Sequence, residues 1–118
     1  MTEAAIPEAT PQATIDDFKK LEFRVATIVK AEEHPQADRL LVLQVDLGTG
    51  QSRQLVAGIR GHYQPADLIG KRVVVVANLK PATIRGIESQ GMVLAAHDGS
   101  QLGLLTPDRP VQPGGIVK

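Results

Sequence analysis

Between two apolar runs, Val73–Ala77 and Met92–Ala96, the chain carries Asn78, Lys80, Arg85, Glu88, Ser89 and Gln90. Lysine and arginine neutralise phosphate, and small polar side chains beside them hydrogen-bond phosphate or ribose oxygens. Arg24, Lys30 and Arg39 extend the positive charge to other segments. The competing reading is ordinary. Scattered Lys and Arg solubilise a surface, Asn and Ser stabilise turns by bonding their own backbone, and Met92 packs in a core. Against mere solubility, the polar residues flanking Lys80 and Arg85 are not the alternating Lys and Glu of a salt-laced face.

Catalytic chemistry finds no comparable set. Gly86 and Gly91 have the separation of a phosphate-cradling loop, but Met92 stands where that loop needs lysine. Ser89 lacks the glycine that a nucleophile elbow needs two residues earlier, because Ile87 is there. Gly48-Thr49-Gly50 is not continued by the third glycine of a dinucleotide fingerprint, since Arg53 takes its place. His34, His62 and His97 are widely separated, each in a turn-rich stretch, so they read as solvated turn residues; His34 and His62 could touch a phosphate if their loops face one way. With no cysteine in the chain, thiolate chemistry and disulfides are excluded. The expectation is no catalytic residue, no metal and no cofactor.

Composition bounds the partners. A chain of 118 residues that is 42% hydrophobic makes one domain with one core. No apolar run reaches the roughly 18 residues of a membrane span, and the N-terminus lacks a signal-peptide pattern, so a soluble cytoplasmic protein is expected. The 13 basic and 13 acidic residues cancel, but four of the acids, Glu3, Glu8, Asp16 and Asp17, precede any basic residue. The remainder therefore carries a modest positive excess, enough for phosphate contacts. Phe18, Phe23 and Tyr63 are the only aromatics, too few for a base-stacking platform. Any nucleic acid must be read mainly through backbone and shape.

The elements that would hold these residues are short. Residues 1–14, rich in Ala, Pro, Thr and Glu, read as a flexible tail. Thr14 with Asp17 marks a helix start, with Ile15, Phe18 and Leu21 on one face. From Glu22 the period becomes two, giving a long strand on which Arg24 and Lys30 share one face and both could point outward. A second strand carries Leu41, Leu43, Val45 and Leu47, and Gly48-Thr49-Gly50 turns the chain into a third at Gln54–Ala57. A helical turn before Leu68 is followed by Val73–Ala77, which reads as a strand buried on both faces. An exposed connection then leads to the Met92–Ala96 strand, and after the Asp98-Gly99 turn the prolines suggest an irregular tail. This rhythm favours a small closed β-barrel over a doubly wound sheet.

Four segments in order, F-R-V-A-T-I-V (Phe23–Val29), H-P-Q-A-D-R-L-L (His34–Leu41), A-N-L-K-P (Ala77–Pro81) and G-I-E-S-Q-G-M (Gly86–Met92), resemble the tRNA-binding domain family. Its members occur as the C-terminal appendage of bacterial methionyl-tRNA synthetases and as stand-alone tRNA-binding proteins. The resemblance covers nearly all of 15–118, taken as one domain, and implies an all-β, five-stranded OB-fold barrel with one or two short helices and a C-terminal extension. It implies a non-catalytic, cytoplasmic homodimer that grips folded tRNA by shape, alone or as a subunit or appendage of an aminoacyl-tRNA synthetase. On its motif positions, Arg24, Arg39, Asn78, Lys80, Arg85, Ser89 and Met92 are the expected tRNA-binding residues. Arg39 stands where lysine is common in the family, and Ala82 and Thr83 where many relatives have a further basic residue. A related branch of secretion chaperones, of the same fold, binds unfolded polypeptide and is the alternative.

Overall fold

In the computed structural model, which describes residues 11–118, the alternating Leu41, Leu43, Val45 and Leu47 form the ridge around which the core closes. In chain order the elements are α1 (Ile15–Lys19), β1 (Phe23–Glu33), β2 (Leu41–Asp46), β3 (Ser52–Ala57), α2 (Pro65–Leu68) and β4 (Arg72–Val76). They continue with β5 (Ala82–Ile84), β6 (Ile87–Ser89), β7 (Met92–Val93), β8 (Ala95–His97), β9 (Leu102–Leu104) and β10 (Ile116–Val117). β1, β2 and β3 are the expected antiparallel meander, and the sheet runs β3-β2-β1-β4-β7. β3 returns alongside the β6–β7 segment, so the strands curl into a nearly closed, five-strand antiparallel barrel of the OB type.

Local chemistry explains several elements. Thr14 accepts from the backbone N–H of Asp17 (3.1 Å) while the Asp17 carboxylate accepts from that of Thr14 (3.0 Å), a reciprocal cap that starts α1. Gly48, Thr49 and Gly50 all have positive φ, which lets β2 reverse into β3. Val73 to Val76 are all buried: Val73 and Val75 face the core, and the Val74 N–H donates to the Leu105 carbonyl (3.2 Å). Burying each such side chain contributes on the order of 1.5–3 kcal/mol. The tail expected over 1–14 falls mainly on residues outside the described ones.

Four features differ from expectation. Ile28 pairs with Val45 but Lys30 pairs with Gln44, so a bulge at Val29 shifts β1 by one residue. Arg24 is opposite Val75, a core residue, whereas Lys30 is opposite the outward Gln44. Arg24 and Lys30 therefore lie on opposite faces. The connection after β4 is not an open loop but contains the β5–β6 hairpin. The Met92–Ala96 run changes partner midway, with Met92 and Val93 on β4 and Ala95–His97 on β9. The proline-rich end docks back on β1: Val25 N–H donates to Gly115 O (2.9 Å), Gly114 N–H donates to Val25 O (2.7 Å), and β10 pairs with Phe23 and Arg24.

Candidate functional site

The segment from Gly86 to Met92 closes the barrel, and side chains make the closure. Gln90 donates its N–H to the Gln54 carbonyl (2.7 Å) and its side-chain oxygen accepts from the Gln54 N–H (2.9 Å). Ser89 Oγ accepts from the Val56 N–H (3.0 Å) and donates to the Gly91 carbonyl (3.0 Å). Ser89 is thus buried, against its expected place on an exposed connection, because it satisfies a β3 amide that has no strand partner there. Gly91 has φ of 148°, and a Cβ on it would lie 2.7 Å from the Val76 carbonyl oxygen. Only glycine lets the chain pass so close to β4.

One turn earlier the same stretch is exposed. Ile84 pairs with Ile87 across Arg85 and Gly86, whose φ values of 52° and 90° make a tight two-residue hairpin. Arginine in this left-handed position is strained, since asparagine or glycine meets the geometry at lower cost. The hairpin is anchored by His34, which is 2% exposed and not the solvated turn residue expected. Its Nδ1 accepts from the Gln36 N–H (3.0 Å), so the proton resides on Nε2, which donates to the Ile84 carbonyl (3.2 Å). Arg85 donates from Nη2 to the Gln36 carbonyl (3.1 Å), and Arg39 and Arg85 line one open cleft of about 360 Å³ with Gln36 and Asp38. Arg60, close by, donates to the Ala37 carbonyl (3.2 Å) and pairs with Glu33 (3.0 Å), which stiffens the β1–β2 connection.

The other expected residues divide. Asn78 is exposed, yet both ends of its amide are used: Oδ1 accepts from the Glu22 N–H (2.8 Å) and Nδ2 donates to the Lys20 carbonyl (2.8 Å). It ties the end of β4 to the segment entering β1. Arg24 donates from Nε and Nη2 to one Glu22 oxygen (2.7 Å each) and from Nη1 to the Gly114 carbonyl (3.0 Å). Lys80 is exposed, and Met92, read first as core, is 49% exposed beside Val56, Ile59 and Leu102.

The structure therefore brings Arg39 and Arg85 to one cleft and links Asn78 to Arg24 through Glu22. Ser89 is committed to the fold. Gln36 and Glu22 are not among the expected residues; the side chains of His34, Arg85, Arg24 and Asn78 that meet them assign them a part. Among the described residues no group of three or more His, Cys, Asp or Glu is placed to hold a metal, and no helix is long and apolar enough to cross a membrane. Asp98, in the β8–β9 turn, has its carboxyl held below the usual carboxylate range by the N–H groups of Gln101 and Ser100.

Comparison with known proteins supplies the remaining context. The family model described as "Putative tRNA binding domain" matches residues 23–115. Methionine–tRNA ligase of Thermotoga maritima is 56% identical over 104 residues, covering 88% of this chain but 16% of that protein, so the chain spans a small part of this curated relative. The crystal structure of a MetRS-related protein from Pyrococcus horikoshii superposes with a TM-score of 0.85 at 33% identity, covering 92% of this chain and 100% of that one. Chaperone CsaA from Bacillus anthracis superposes with a TM-score of 0.82 at 31% identity, with 92% and 100% covered. The barrel, its closing segment and a match that runs from the first strand almost to the last agree, and the chain belongs to the tRNA-binding domain family.

Proposed function

We propose that this chain is a non-catalytic tRNA-binding module that recognises folded tRNA by shape and backbone, alone or as a subunit or appendage of an aminoacyl-tRNA synthetase. The observation that carries this reading is the cleft lined by Arg39 and Arg85, two exposed cations on separate segments that the buried His34 joins. Two guanidiniums lining one cleft suit neighbouring backbone phosphates of folded RNA. Lys80 extends the charge, and the scarcity of aromatics disfavours stacking on unpaired bases. The site works in the cytoplasm under this reading and needs no cofactor.

A homodimer fits the same reading. α1 buries none of its residues within the chain, and Ile15, Phe18 and Leu21 are exposed. Phe18 stacks on Phe23 (5.3 Å), which pairs with Val117 beside the exposed Ile116, so one apolar surface joins both ends of the domain. A second copy would cover it and raise affinity by making the second tRNA contact intramolecular.

A filter-binding salt titration tests the function. Bulk tRNA should bind more tightly than an unstructured RNA of equal length, with affinity falling as salt rises. Equal affinity for both, or no binding at low salt, overturns shape recognition. The structural likeness to chaperone CsaA, together with the half-exposed Met92 beside an apolar groove, favours a second reading, a chaperone for unfolded polypeptide. Suppression of aggregation that excess tRNA does not diminish would decide for it.

A further inference from the structure

Its pairing opposite Val75 puts Arg24 on the inward face at one end of the barrel, where the β2–β3 turn and the C-terminal segment border a second cleft. Its volume of about 380 Å³ suits a small ligand or one group of a larger one. Arg24 and Arg53 line it with Glu22, Thr49 and Gln51, so two guanidiniums face one carboxylate and the charge is positive. The Pro113–Gly114 backbone forms the far wall and approaches so closely that a Cβ on Gly48 would lie 2.6 Å from the Pro113 carbonyl oxygen.

The bonds within the cleft are unevenly used. Arg24 sends both Nε and Nη2 to the same Glu22 oxygen, so its fork meets one acceptor where a phosphate would offer two. Arg53 makes a long bond of 3.3 Å to the carbonyl of its own neighbour Ser52. Thr49, a β-branched residue held at φ of 51°, spends its hydroxyl on the adjacent Gly48 carbonyl (2.6 Å). The Glu22 N–H is fixed separately by Asn78, so the Glu22 carboxylate can swing away while its backbone stays in place.

We propose that this cleft is a phosphate-binding site in which the Glu22 carboxylate holds Arg24 as an internal anion until a phosphate group displaces it. Arg24 and Arg53 neutralise the incoming charge, and Thr49 and Gln51 supply neutral hydrogen bonds. The site is separate from the Arg39–Arg85 cleft; Arg24 is among the residues expected to meet tRNA, and the RNA-borne source alone rests on that reading. Its phosphate comes either from an RNA backbone or from a free phosphate or mononucleotide.

Nuclear magnetic resonance of the full chain tests this through the guanidinium signals of Arg24 and Arg53. Inorganic phosphate and adenosine monophosphate should move both signals, whereas adenosine and chloride at matched ionic strength should not. Glu22→Gln should tighten phosphate binding about fivefold and Arg53→Met weaken it by a similar factor, while Lys30→Ala leaves it unchanged. If tRNA moves the same two signals the phosphate is RNA-borne; if only the small ligands do, the source is free. Unmoved signals at millimolar phosphate, or an unchanged affinity in Glu22→Gln, overturn the site even if tRNA binds elsewhere. Failure of tRNA to bind while phosphate moves the signals sinks the tRNA reading and leaves this one standing.

Discussion

Arg85 and Ser89 lie on one short stretch, both polar, four residues apart, and the fold treats them oppositely. Arg85 caps an exposed hairpin in a strained backbone conformation, and Ser89 is buried, replacing a missing strand partner of Val56. The tip holds a residue of positive φ whose side chain is exposed. The closing end tolerates no variation in volume, because Gly91 abuts the β4 backbone. One short stretch thus contains a presenting part and a structural part, which mutations can separate.

The largest effect belongs to the closing end. Gly91→Ala combines a disfavoured φ with a clash against backbone and should cost about 3 kcal/mol, measured by urea denaturation. Stability close to that of the parent would show that the barrel opens there without penalty and would break the contrast. Ser89→Ala leaves the buried Val56 N–H unpaired and should cost about 1–2 kcal/mol, while tRNA affinity of the folded protein stays the same. A loss of affinity at unchanged stability would instead move Ser89 to the presenting part.

At the tip the readouts exchange. Replacing Lys80 and Arg85 together by alanine should weaken tRNA binding about tenfold and lower its salt dependence by roughly two charges, with the melting temperature almost unaltered. A large drop in melting temperature would make these residues structural. The smallest effect sharpens the comparison most: Arg85→Asn suits the left-handed position better and should stabilise the protein by about 0.5 kcal/mol while still weakening tRNA binding. Stabilisation without loss of binding would leave the strain at Arg85 without a functional reason.

Much of the barrel was legible in the residues alone. The capping pair Thr14 and Asp17, the alternation of Leu41 to Leu47, the Gly48–Gly50 reversal and the four-valine strand all express local sterics or local burial, and all are found. The positive charges were visible too, since a lysine or arginine needs no neighbour to be recognised. Which of them converge was not. That Arg39 meets Arg85, that Arg24 turns inward while Lys30 does not, and that His34 is buried depend on contacts with segments distant in the chain.

The amino-acid order by itself determined β1 to β4, the Gly48–Gly50 turn and the inventory of side chains able to meet phosphate, because backbone sterics and hydrophobic period act over a few residues. Only the tertiary structure decided their roles. A one-residue bulge inverts a face, and a buried amide without a strand partner claims whichever hydroxyl the closing chain delivers to it, which is how Ser89 left the surface and Arg85 kept it.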